Sequence, residues 1–212
     1  MIKKNLKLLI ITTIVILLPM LAGVIMWDSL PQELPIHWNV NGEVDDTCSK
    51  EFGVFLAPLI MIALQWITVF VVSSDPKKQN QSDKMLAIAF WCVPLITNVV
   101  AAILFMTSLG KEVAVLMIIS VSLGLLTVII GNYLPKCKQN YTVGIKLPWT
   151  LGSEENWNKT HRLAGWLWVA CGFIIAIVGC FGWIWIVIPM SLVMVTVPVV
   201  YSYAVYRGES KN

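Results

Sequence analysis

Residues 85–109 read MLAIAFWCVPLITNVVAAILFMTSL, a run of twenty-five positions without a charge. A helix rises about 1.5 Å per residue, so roughly 20 apolar residues cross the ~30 Å hydrocarbon core of a bilayer. This run is long enough to span it. Working outward, five more apolar runs occupy 6–27, 52–72, 113–134, 163–180 and 183–205. The whole chain is 212 residues, 58% hydrophobic and only 13% charged, against about 25% charged in soluble domains. That composition excludes a water-soluble globule. Lipid offers no partner to bare backbone groups, so spans must be helices or a closed barrel. Unbroken runs, rather than alternating ten-residue ones, select helices. The expected fold is an all-α membrane protein with six transmembrane helices. The first run begins like a signal peptide, but it is too long, lacks a small-x-small cleavage site and precedes five more spans; it reads as an anchor.

Charge sets the expected orientation. Six spans put both termini on one side. That side receives thirteen of the fifteen Lys and Arg residues, leaving only Lys50 and Lys111 on the other. The positive-inside rule therefore predicts cytoplasmic termini, with loop 28–51 outside and loop 131–165 inside. Lys77, Lys78 and Lys84 are read as inner-side charges and nothing more. No span carries a charge at mid-depth, where ion-coupled transporters usually place one, so a transporter is the weaker reading. Gln65 and Asn98, the bulkiest polar side chains there, fit helix–helix contacts. The five cysteines, Cys48, Cys92, Cys137, Cys171 and Cys180, form no CxxC pair and read as small apolar packing residues. A Cys48–Cys180 bridge requires both on the outer side. No metal or cofactor is expected.

The outer loop reads DSLPQELPIHWNVNGEVDDTCSKE. Asn41-Gly42 is a strong hairpin signal, because both turn residues must take positive φ. Strands are expected near 35–40 and 43–46, with His37 and Asn39 on one face and Leu34, Ile36, Trp38 and Val40 on the other. A calcium loop centred on Gly42 would use Asn39, Asn41 and Asp45. It would place His37 at the first ligand position and Cys48 where the closing Glu belongs, so it fails. A zinc site from His37 with Asp45 or Asp46 lacks a second His or Cys. His37 is expected to cap or pack the hairpin.

The inner loop, GNYLPKCKQNYTVGIKLPWTLGSEENWNKTHRLAG, is the longest polar interval between the apolar runs. Pro135 stops the fourth span. Alternation of Tyr141, Val143, Ile145 and Leu147 predicts an extended segment around Gly144, and Pro148 keeps Leu147 extended. Ser153 is a good N-cap, and Glu154 and Glu155 suit a helix N-terminus. A helix starting near 154 is expected to run unbroken into the fifth span, with Trp157, His161, Ala164 and Trp168 on one face and Asn158 and Arg162 beside it. Trp157, His161 and Arg162 are expected to act together. His161 with Glu154 or Glu155 could form a base and its orienter, and Cys137 with His161 a nucleophile and base. No catalytic spacing, phosphate-cradling glycine loop or paired-histidine metal helix occurs, so an enzyme is not expected. The alternative is a membrane enzyme or lipid-modifying protein using His37 or His161. The basic residues follow from topology and can also meet anionic lipid.

The inner stretch NYLPKCKQNYTVGIKLPWTLGSEENWNKTHRLAG resembles the signature of the bacterial SdpI family of immunity proteins. The outer stretch LPIHWNVNGEVD resembles the DUF1648 type of segment that precedes it in many members. The resemblance implies six spans, residence in the bacterial cytoplasmic membrane, and protection from a secreted toxic peptide. It also implies a second partner inside, a winged-helix repressor held at the membrane, with no direct contact to nucleic acid. Two halves are expected, 1–84 with the outer loop and 85–212 with the inner one. Contacts to partners are expected at Asn140, Tyr141, Gly144, Lys146, Pro148, Trp149, Trp157, His161 and Arg162 inside, and at His37, Trp38, Asn39 and Gly42 outside, with membrane lipid around the spans.

Overall fold

A computed structural model describes residues 2–81 and 83–209, with side chains from Asn5 onward. The side chains of Lys3 and Lys4, and Lys211, which enter the charge count, lie outside the described residues. The elements are α1 (Ile2–Ile25), β1 (Glu33–Trp38), β2 (Val44–Ser49), α2 (Ala57–Ser73, entered through a π-turn at Phe52–Leu56), α3 (Asp83–Ser108), α4 (Val115–Tyr133), α5 (Pro148–Gly152), α6 (Glu154–Gly179) and α7 (Val187–Glu209). All the α-helices except α5 are long and apolar enough to cross a membrane, six in number among the described residues. The protein is a multi-pass membrane protein. Its apolar side chains point outward, with Phe70 at 67% and Val200 at 68% exposure, while polar ones such as Thr12, Gln65 and Asn156 are buried.

The chain packs as two compact units, one formed by 1–70 with 87–119 and one by 71–86 with 120–212. This division differs from halves at 1–84 and 85–212, because most of α3 packs with the first unit and the α2–α3 connection with the second.

In the first unit, buried polar side chains answer backbone groups. Pro19 has no N–H, so the carbonyl of Val15, four residues earlier, loses its helical donor. The Asn98 side-chain amide donates to that carbonyl at 2.9 Å, and Gln65 donates to Thr12 Oγ1 at 2.6 Å. These are the helix–helix contacts expected of Gln65 and Asn98. Lys50 is buried; its ammonium donates to the Trp27 carbonyl at 3.0 Å and lies 4.8 Å from the Trp27 ring centroid. Leu30 and Leu34 pack on Val54, Leu104 and Phe105, which seats the hairpin base.

The hairpin exists, but its turn differs from expectation. The strands are antiparallel with Trp38 opposite Val44, so the connection spans 39–43. Gly42 has φ +82° and, among the described residues, no non-glycine has positive φ, so Asn41-Gly42 is not the two-residue turn expected. Instead the backbone turns over 39–42, with Gly42 N–H donating to Asn39 O at 2.9 Å, and Asn39 Oδ1 also accepts from the N–H groups of Asn41 at 2.9 Å and Glu43 at 3.1 Å. Irregular pairing on either side of His37 also breaks the alternation. Leu34 and Pro35 are both buried, while Ile36 and Val40 are exposed, so the expected apolar face does not form. All five cysteines are free thiols, so the Cys48–Cys180 bridge is absent.

In the second unit α4 and α6 meet backbone to backbone. Glycines recur every seven residues on both helices, Gly124 and Gly131 on α4 and Gly165, Gly172 and Gly179 on α6. A Cβ on Gly172 would lie 2.7 Å from the Gly124 carbonyl oxygen and 2.8 Å from the Val128 nitrogen. One on Gly124 would lie 2.6 Å from the Ala176 nitrogen. Small residues permit such approach, which drives association where lipid removes the hydrophobic gain. Gly172→Ala should therefore destabilise the protein by roughly 1–3 kcal/mol, the usual cost of overpacking. Unfolding in mixed micelles measures it; an unchanged midpoint contradicts the contact.

Candidate functional site

The site is built from the inner loop and the α2–α3 connection, all within the second unit. Its platform is a ring stack on α6. Ser153 caps the helix, its hydroxyl accepting from the Asn156 N–H at 3.1 Å, and the helix then runs unbroken to Gly179 as expected. Trp157 and His161, one turn apart, stack with centroids 4.0 Å apart and planes inclined by 21°. Both are buried, Trp157 at 0% and His161 at 1% exposure. The Trp157 indole N–H donates to the Cys137 carbonyl at 2.7 Å.

Every polar atom of His161 is used. Nδ1 lies 2.8 Å from the Trp157 carbonyl, which fixes the proton there. Nε2 then accepts from the Ile145 N–H at 2.9 Å. This tautomer has no lone pair left for a substrate or a metal. The base–orienter pairing with Glu154 or Glu155 is thus corrected: a backbone carbonyl orients His161, and Glu155 instead pairs with Lys159 at 2.6 Å. The Cys137–His161 pairing also fails. Cys137 is buried, its thiol within 3.4 Å of Val143 O and of Asn140 Nδ2. Burial pushes this thiol up, against a smaller opposing effect of the Asn140 hydrogen bond. No group of three His, Cys, Asp or Glu side chains suited to a metal occurs among the described residues.

The loop backbone lies on this stack. At Gly144, φ is +121°, and a Cβ there would meet His161 Nε2 at 2.5 Å and Trp157 Cη2 at 2.9 Å. Only glycine satisfies both conditions. Asn140, fully buried, shapes the turn before it: Oδ1 accepts from the N–H groups of Thr142 at 2.9 Å and Val143 at 2.7 Å, and Nδ2 donates to Lys138 O at 2.8 Å. Residues 141–147 form no strand, contrary to the alternation, because these side-chain bonds replace a ladder. Pro148, expected only to extend Leu147, is the first residue of α5. The Thr150 hydroxyl ties α5 back by accepting from Leu147 N at 2.9 Å and donating to Ile145 O at 2.8 Å.

The α2–α3 connection clamps this loop from outside it. Asp75 is buried and accepts from Tyr141 N–H at 2.9 Å, the Thr142 hydroxyl at 2.8 Å and Lys77 N–H at 2.7 Å. Burial alone would raise its pKa; the hydrogen bonds from Thr142, Lys77 and Tyr141 outweigh it and hold the carboxyl below its usual value. Gln81 donates to Thr142 Oγ1 at 2.8 Å, Asn80 donates to Gln139 O at 2.7 Å, and the Lys77 ammonium donates to the Gln139 side-chain carbonyl. Gln139 passes the clamp on, donating to Thr150 O at 3.0 Å. Lys77 is thus more than a topology charge. On the α7 side, Asn156 donates to Ser202 O at 2.9 Å and Trp149 donates to Ser202 Oγ at 2.8 Å.

The inner candidates therefore divide. Asn140, Trp157 and His161 are buried, and their hydrogen bonds hold the loop's shape. Tyr141, Lys146, Pro148 and Arg162 are exposed, and Trp149 is half-buried beside Tyr203 and Tyr206. Arg162 lies on the outer face of α6, apart from the stack with which it was expected to act. In the hairpin, His37 Nδ1 contacts Asp45 Oδ1 at 2.5 Å, Trp38 is half-buried, and Asn39 and Gly42 build the turn.

Comparison with known proteins finds two matched segments and one relative. Residues 136–202, which contain the stack, most of the loop and its α7 contacts, match the SdpI/YfhL protein family. Residues 14–62 match a domain of unknown function, DUF1648. Over the first of these segments the chain is similar to the SdpI/YfhL family. The chain is also 29% identical over 209 residues to the immunity protein SdpI of Bacillus subtilis (strain 168), covering 99% of this chain and 97% of the relative. No solved structure matches it. The family match begins at Lys136, so the clamping residues Asp75, Lys77, Asn80 and Gln81 fall outside both matched segments.

Two outcomes are expected from this clamp. Because the Asp75 value is depressed in the fold, its stabilisation is complete above the unfolded value of 3.8 and is lost as pH falls through the lower folded value. Asp75→Asn should remove that acid limb and cost roughly 1–3 kcal/mol at neutral pH by leaving buried donors unmatched; melts of both proteins across pH 2–7, roughly the range where a carboxylate changes charge, measure it. Lys77→Ala should increase proteolysis of 137–151 while Lys78→Ala, on an exposed side chain, should not; equal digestion rates contradict the clamp.

Proposed function

We propose that this chain is a membrane immunity protein that protects its cell from a secreted toxic peptide. The observation that carries the reading is the near full-length match to an immunity protein, which takes in the hairpin and the inner loop together. In this reading both termini are cytoplasmic, supported by the distribution of Lys and Arg. The hairpin and its neighbouring outer surface meet the peptide. The loop seated on Trp157 and His161 is the inner receiver, and its exposed residues Tyr141, Lys146 and Pro148 are the surface offered to a winged-helix repressor. The protein acts by binding and not by catalysis, a reading supported by the full engagement of both His161 nitrogens.

Survival of a sensitive bacterium challenged with a panel of secreted toxic peptides tests this. Expression of the chain should raise survival against at least one peptide. Trp157→Ala should abolish that gain, since removing a buried Trp costs roughly 3–5 kcal/mol. Equal killing with and without the chain, at confirmed membrane levels, sinks the proposal. A fluorescent protein fused at the C-terminus, shielded from protease in intact cells, checks the orientation.

A further inference from the structure

A groove of about 800 Å³ runs between α6 and α7. Its lining changes character along α6. Glu154, Asn158 and Arg162 follow one another at intervals of four residues, then come Leu163 and Trp166, with Tyr201 from α7 opposite. Residues four apart share a helix face, so carboxylate, amide and guanidinium form one polar column that ends at the start of the apolar span. Asn158 and Arg162 are exposed, and Trp166 is 75% exposed. Among the described residues, the side chains of Asn158 and Arg162 make no hydrogen bond or ion pair. The neighbouring Lys159 is already neutralised by Glu155 at 2.6 Å.

From this order of groups we propose that the groove is a binding site for one phospholipid whose headgroup carries an amine, phosphatidylethanolamine. The phosphate sits at Arg162, whose planar guanidinium offers paired donors, with the Asn158 amide adding another. Helical side chains lean toward the N-terminus, so the guanidinium reaches back toward Asn158 and leaves Glu154 beyond it. Glu154 receives the ammonium of the headgroup. Leu163 and Trp166 line the path of an acyl chain, and Tyr201 and Trp166 belong at interfacial depth. The acid at the groove mouth is the selective element: it attracts a headgroup amine and repels an anionic headgroup, although the rest of this face is basic.

Native mass spectrometry of the full chain, delipidated in detergent and titrated with defined lipids, tests the assignment. Wild-type protein should retain phosphatidylethanolamine in preference to phosphatidylglycerol. Arg162→Gln should lower that occupancy roughly five-fold, the effect of about one basic contact at a phosphate surface. Glu154→Gln should keep total phospholipid binding and erase the preference. Lys111→Gln, a basic residue outside the groove, should change neither. Unaltered binding in Arg162→Gln, or stronger retention of phosphatidylglycerol by the wild type, overturns the proposal. Both variants alter exposed side chains, so folding is preserved, and a melt confirms it. This outcome is independent of any toxin assay.

Discussion

The second unit depends on one contact, the seating of the Gly144 backbone on the Trp157–His161 stack. A loop that leaves a membrane helix and returns to another has no core of its own. Here the two rings supply one, and every surrounding polar group is arranged to let backbone lie flat on it. Asn140 folds the approach, Thr150 folds the exit, and Trp157 and His161 each tie the loop through ring nitrogens. Asp75 and Gln81 then close the structure from a segment more than sixty residues away in sequence. The result is a small folded cap made of loop residues, in which the buried side chains of Asn140, Thr150, Trp157 and His161 are hydrogen-bonded while Gln81 Oε1 has no partner.

The first unit solves a related problem inside the bilayer. There the difficulty is not a missing core but a missing solvent. Pro19 frees a carbonyl that water cannot reach, and Asn98 supplies the donor. Lys50 is treated in the same way: its stem is buried against Trp27, and its charge meets a carbonyl just beyond the end of α1, where a cation is favoured. Polar residues near the spans are structural wherever a backbone group needs them.

The spans were legible because each is a long run without charge, and lipid leaves such runs few alternatives. The Ser153 cap and the continuity of α6 were legible because capping is local: hydroxyl, acids and helix lie within three residues. The platform was half legible. Helical spacing brought Trp157 and His161 together, but it also suggested Arg162 as their partner, because spacing alone does not say which side of a helix is covered. The role of Asp75 left no trace in local pattern, since its partners are Tyr141 and Thr142. The hairpin turn misled for a different reason: the backbone closes around 39–42, from Gly42 N–H to Asn39 O at 2.9 Å, with Gly42 alone at positive φ and Asn39 Oδ1 adding bonds to the Asn41 and Glu43 N–H groups. The sevenfold glycine spacing on α4 and α6 was present in the sequence, and it is the signal that could have paired those helices.

Among the long helices, α1, α3 and α7 each contain an internal proline, at Pro19, Pro94 and Pro198. The twenty-six residues of α6 contain none, so it runs about 39 Å without a proline break. Its first turns carry the ring platform, and its last residue, Gly179, lies against Ser120 of α4. A rod without a joint does not absorb torsion. If the cap turns the ring end of α6, the twist arrives at the opposite end of the span, where the close backbone fit to α4 converts it into a shear between two helices. The two ends of this helix are therefore joined by one continuous hydrogen-bonded element, a shaft rather than a chain of proline hinges.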